Sequence, residues 1–69
     1  MNIIGTNVRK NRESNGLTQD QLAAKCNLLQ WNISRGTLAK IEAKVRRVTD
    51  IEVKLLAQAL NISIGDLFK

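Results

Sequence analysis

Helix-start signals recur at short intervals along this 69-residue chain, and no segment between them alternates as a strand would. Thr18 is followed by Gln21 and Thr49 by Glu52, each the spacing of a capping box in which hydroxyl and carbonyl or carboxylate satisfy the first free amides of a helix. Ser34 is a further N-cap, and a short last helix is expected from Ser63, with Asp66 in its first turn where the helix end is positive. A chain punctuated in this way folds as short helices, and the expected class is all-α.

The apolar spacing gives five helices. The first, about residues 3 to 14, carries Ile4 and Val8 on one side, places Arg12 next on the same stripe, and stops at Asn15-Gly16. The second opens after Thr18, with Leu22, Ala23, Cys26 and Leu29 predicting continuation to about Gln30. In the third, Leu38, Ile41 and Val45 lie on one side, with Arg35, Lys40 and Lys44 largely elsewhere. The fourth is expected to bury Ile51, Leu55, Leu56, Ala59 and Leu60, and the last to contribute Leu67 and Phe68. Glu42 shares the core side of helix three, so a buried charge stands in each of two helices, and the economical arrangement is that Arg12 and Glu42 meet.

At this length the chain is one domain, residues 1–69, too small for a buried catalytic cavity. A single cysteine, Cys26, and the absence of His leave no disulfide and no ordinary zinc set, and no cofactor is expected. Net charge is +5, and Arg35 to Arg47 holds five cations against Glu42 alone, which is +4 of that total. Such a segment attracts a polyanion. No apolar run approaches the roughly 18 residues of a membrane span and no leader pattern opens the chain, so the expectation is a cytoplasmic protein that does not meet a membrane.

Two segments carry a resemblance. Leu17-Thr-Gln-Asp-Gln-Leu-Ala23 and Ile33-Ser-Arg-Gly-Thr-Leu-Ala-Lys-Ile-Glu42, followed by Ala57-Gln-Ala-Leu60 and Asp66-Leu-Phe68, resemble the phage repressor and Cro type of helix-turn-helix domain, the Xre family. The resemblance implies a five-helix repressor-like fold in which helix two crosses the DNA backbone and helix three enters the major groove. It also implies an Arg12–Glu42 ion pair fixing helix three on the scaffold. One departure is the connection between helices two and three, where Asn27 to Asn32 replaces the family's short glycine turn and adds about five residues. The lengthened connection is expected to extend helix two by one turn, with Asn32, or else Asn27, taking the left-handed backbone of the missing glycine. Trp31 is then either a core anchor or a ring exposed to a partner.

On such a recognition helix the residues that reach base edges are Arg35, Gly36, Thr37 and Lys40, with Arg35 suited to guanine by its planar fork. Gly36 reads either as close backbone approach to DNA or as tolerance in a first turn. Gln19, Ser34, Lys44, Arg46 and Arg47 are the expected phosphate contacts, Asn7 and Arg9 weaker ones. Ile62, Ile64 and Phe68 are either core or the surface of a homodimer, which relatives of this kind form on DNA. The function implied is a sequence-specific regulator of transcription bound to double-stranded DNA, most simply a repressor by promoter occlusion. The alternative is a protein-interaction module such as an antitoxin or assembly partner. An enzyme is not expected, since the serines sit at caps and no His base exists.

Overall fold

In each of Thr18, Ser34, Thr49 and Ser63 the side-chain oxygen accepts a hydrogen bond from the amide three residues on, and the helices begin directly after them. Three of these caps are reciprocal boxes, including Ser63 with Asp66, where the sequence alone predicts only a favourable charge. The computed structural model, which describes residues 2–69, holds α1 (Gly5–Ser14), α2 (Gln19–Leu28), α3 (Arg35–Glu42), α4 (Asp50–Leu60) and a 3-10 helix over Ile64–Phe68. The fifth element is thus a 3-10 turn rather than an α-helix, a winding suited to so short a run. There is no strand among the described residues.

The helices end as regularly as they begin. At each α-helix C-terminus a residue in the left-handed region closes a pair of backbone bonds, the arrangement known as a Schellman motif: Gly16 after α1, Gln30 after α2, Lys44 after α3 and Asn61 after α4. Only the first is glycine. The expected extension of α2 to Gln30 is therefore corrected: the helix stops at Leu28, and the left-handed residue is Gln30, neither Asn32 nor Asn27. The physical reason is Trp31. Its amide closes the motif on the Cys26 carbonyl at 3.0 Å, and its half-buried ring packs against the core. The apolar residue that folds back over the last turn decides where the helix ends. Asn27 instead laces the connection, its amide donating to the carbonyls of Ala23 and Ile33.

The core is built from Ile4, Val8, Leu22, Cys26, Ile33, Leu38, Ile41, Leu56, Leu60 and Leu67, drawn from every helix and from the residues just before α1 and α3. Three expected members lie exposed outside it, among them Phe68, half exposed at the end of the 3-10 helix. Val45 is 74 % exposed because Lys44 ends the helical register before it, and Ile51 is 72 % exposed because α4 turns Val53, Leu56, Ala57 and Leu60 inward. Cys26 is fully buried, and burial pushes its thiol up to about 11, so it behaves as an apolar side chain. No helix of the described residues is long and apolar enough to cross a membrane.

Candidate nucleic-acid interface

The position of α3 is set by a buried ion pair. Arg12 of α1 grips Glu42, the last residue of α3, with Nε to Oε2 at 2.7 Å and Nη2 to Oε1 at 3.1 Å, while Nη1 donates to the Leu17 carbonyl at 2.7 Å. The Arg12 and Glu42 side chains are only 11 % and 3 % exposed. The hydrogen bond to Glu42 raises the Arg12 pKa further, against the lowering effect of burial. Gln19, the first residue of α2, adds its amide to Glu42 Oε1 at 3.1 Å. One carboxylate thus ties three helices together, and a shallow depression of about 310 Å³ opens beside it, lined by Arg9, Gln19, Ala39 and Ala43 among others.

Two residues that the sequence reading passed over complete this support. Asn2 is buried: its side-chain oxygen accepts from the amides of Ile4 and Gly5, and its amide donates to the Ile41 and Arg46 carbonyls. It caps α1 and α3 at once, from a position too far before the helix to look like an N-cap. Gly5 lies against the end of α3, where a side-chain carbon would collide with the Ile41 carbonyl and come within 2.7 Å of Lys44 Cγ. Its φ is ordinary, so nothing but the neighbouring helix demands glycine there.

Outside the stripe of α3 that Leu38 and Ile41 bury, the cations stand in solvent. Arg35 and Lys40 on the helix and, beyond it, Lys44 and Arg47 are exposed, and the last three have no ion-pair partner among the described residues. Gly36, Ala39 and Ala43 leave this face low between them. A side-chain carbon at Gly36 would meet only Ser34 Oγ, 3.8 Å away, so no contact within the protein requires glycine at that point. The Ser34 hydroxyl accepts from the Thr37 amide and donates to Thr37 Oγ1, both at 3.1 Å, so it is engaged in the cap.

Several sequence candidates are occupied inside the molecule. Arg46 forms a two-pronged pair with Glu52, 3.0 and 2.9 Å, and donates to the Arg47 carbonyl, so its guanidinium pins the α3–α4 connection to α4 instead of projecting as a phosphate clamp. Asn7 donates to the carbonyls of Leu67 and Lys69 and holds the 3-10 helix on α1. Arg9 is exposed and faces Glu13 one turn on, at 3.4 Å.

The Arg46 pair carries a pH dependence. Its hydrogen bonds hold the Glu52 carboxyl below its ordinary range, assisted by the Thr49 amide and opposed by burial. A carboxyl depressed in the folded state contributes stability above its unfolded pKa, about 4.3, and loses it as pH falls through the lower folded value. Thermal midpoints are therefore expected to decline on acidification below about pH 4.5, with a shallower decline in Glu52→Gln. Parallel melting curves of the two proteins between acid and neutral pH check this, and identical slopes would remove Glu52 from the account.

No curated protein and no solved structure matches the chain. A family model described as helix-turn-helix matches residues 8–67. That span takes in the ion pair from Arg12 to Glu42, all of α3, α1 from Val8 onward and most of the core that supports them. With α2 braced against α3 and the cationic side of α3 turned outward, the chain belongs to the DNA-binding helix-turn-helix family, in its Cro/Xre type.

Proposed function

We propose that the chain is a sequence-specific double-stranded DNA-binding regulator of transcription, a repressor that occludes a promoter by laying α3 in the major groove. One observation carries this reading: Arg35, Lys40, Lys44 and Arg47 are exposed along and just beyond a helix whose other side is core. An α-helix fits the major groove of B-DNA, and only side chains at its outward N-terminal turns reach base edges. Arg35 reads guanine, with Gly36, Thr37 and Lys40 beside it. Gln19, Lys44 and Arg47 meet phosphate, while Ser34, expected there from the sequence, has its hydroxyl engaged in the α3 cap and Arg46 positions the segment that bears Arg47. The reading has no enzymatic step and places the protein in the cytoplasm.

Two finer points belong to the same reading. The residues between α2 and α3 form a longer connection than the family's short turn, with Trp31 as its anchor. The active form is a homodimer on DNA, since one such helix spans only a short half-site. The exposed Ile3 and Phe68, which line a shallow groove with Val48 and Val53, provide the apolar surface for it, together with the exposed Ile64.

Selection from random duplexes at stated salt tests the whole reading. A preferred, two-fold related site is expected. On that site Arg35→Ala should cost about 1 to 3 kcal/mol and relax preference at one base pair, whereas Arg47→Ala should weaken all duplexes alike and lower the salt slope by about one. Equal losses on every duplex for both variants would contradict the division of roles, and no binding to any duplex would favour an interaction module.

A further inference from the structure

Of the six acidic residues, four have partners that explain them: Glu42 with Arg12, Glu52 with Arg46, Glu13 with Arg9 and Asp66 with Lys69. Asp50 lies in the first turn of α4, where a negative charge is favourable. Asp20 also opens a helix, but it does something more. Its Oδ2 stands 4.0 Å from Nε of Arg35, the first residue of α3, with the two side chains 77 % and 65 % exposed. Among the described residues this is the one ion pair that joins α2 to α3.

So exposed a pair contributes next to nothing to stability. A carboxylate facing a polyanion also repels it, so Asp20 works against the affinity that Lys40, Lys44 and Arg47 supply. In the first turn of α2 it has the same small helix-end benefit as Asp50, and its contact with Arg35 gives it a second role. Resting on the reading that α3 enters the major groove, the geometry points to Asp20 as a positioning residue for specificity, one that holds Arg35 by Nε so that its two terminal amino groups face a guanine.

The chemistry follows from the shape of guanidinium. Guanine offers two acceptors, O6 and N7, and arginine meets them either with its terminal Nη pair or with Nε and one Nη. Nε is the guanidinium nitrogen nearest Asp20, so closing this contact leaves the Nη pair as the one presented. At 4.0 Å the contact is an ion pair short of a hydrogen bond, and closing it to the 2.7–2.9 Å usual for charged partners takes about 1 Å, a rotation of exposed side chains. Without Asp20 the same guanidinium is a free cation that meets phosphates as readily as a base, and phosphate contacts carry no sequence information.

The test compares the full chain with Asp20→Asn, Arg35→Ala and the double variant on three duplexes. These are the selected site, that site with adenine in place of the guanine whose preference Arg35→Ala abolishes, and random sequence. Asp20→Asn is expected to bind random duplex about threefold more tightly, through loss of one repelling charge. It is expected to lose about tenfold of the guanine-over-adenine ratio, within the range one two-pronged contact supplies. On the Arg35→Ala background it should change that ratio no further.

An unchanged ratio with tighter random binding would overturn the proposal, making Asp20 a plain repelling charge. A loss of the same size in both backgrounds would overturn it too, because the effect would bypass Arg35. A wild-type chain that binds no duplex fails the underlying reading instead, and the two failures are thereby distinct. A melting temperature lowered by no more than a few degrees accompanies the supporting result, since a side chain 77 % exposed gives up only a first-turn helix charge.

Discussion

Replacing Glu42 by alanine is expected to destabilise the fold by about 3 to 5 kcal/mol, the cost of leaving one buried partner of an ion pair alone. A domain of this size has only about 3 to 10 kcal/mol in total, so the variant should be largely or partly unfolded at room temperature. The magnitude comes from what remains. Arg12 keeps one bond, to the Leu17 carbonyl, while Nε and Nη2 lose their acceptors in a site where the side chain is 11 % exposed, and Gln19 loses its partner as well. Substituting both ends by apolar groups, as in Arg12→Met with Glu42→Leu, should recover most of the loss, because no buried charge is left unpaired. Chemical denaturation of the three proteins reads this directly. If Glu42→Ala unfolds at the wild-type midpoint, the pair is superficial.

The double variant also separates fold from function. Glu42 fixes the end of α3 and touches Gln19 at the head of α2, so both helices of the candidate interface take their relative position from one carboxylate. A refolded apolar pair keeps the core but frees Gln19. Weaker DNA binding in that variant than in the wild type is the corresponding expectation.

That pair was legible in the sequence because burial and charge conflict there: Arg12 and Glu42 both fall on apolar stripes, and each resolves the other. The helix starts were legible for a similar reason, since a hydroxyl followed by a polar residue three positions on is a local signal that needs no tertiary information. Where a feature depends on what packs against it, the reading ran out. Ile51 belongs to an apolar pattern as well as Val53 does, yet only the second faces the core, because α4's rotation is fixed by Leu56 and Leu60 together with the residues they meet. Gln30 and Lys44 take left-handed backbone that their residue type disfavours by roughly 1–2 kcal/mol, and only the pair of closing bonds after each helix explains it.

The candidate site divides in the same way. The cationic side of α3 could be read from helical spacing, because outward positions are those that the core does not claim. Arg46 could not, since its Glu52 partner also serves as the third residue of the Thr49 box, and one carboxylate in two roles leaves no separate trace in the chain. Asn2 acts through bonds to residues 39 and 44 positions away, a distance over which no local pattern extends.

Gly5→Ala is the second large effect expected, a loss of about 2 to 3 kcal/mol in stability and weaker DNA binding while the protein is still folded. Alanine favours a helix over glycine by up to about 1 kcal/mol, and this gain opposes the loss. It is outweighed because the added carbon meets the Ile41 carbonyl, which is backbone and cannot rotate aside, whereas Lys44 Cγ at 2.7 Å belongs to a flexible side chain and can. Relief requires α1 and the end of α3 to separate, and that movement strains the Asn2 bonds and carries Lys44 away from its place beside the helix. A fall in melting temperature of roughly 8 to 20 °C is expected for a domain of this length. Gly36→Ala is the control, with the same chemical change on the outward side of α3. Meeting nothing nearer than Ser34 Oγ at 3.8 Å, it should leave the fold unharmed or stabilise it by up to about 1 kcal/mol. If Gly36→Ala nonetheless weakens DNA binding, the glycine serves close approach of the helix to the duplex; if both variants melt alike, the packing of α1 on α3 does not depend on Gly5.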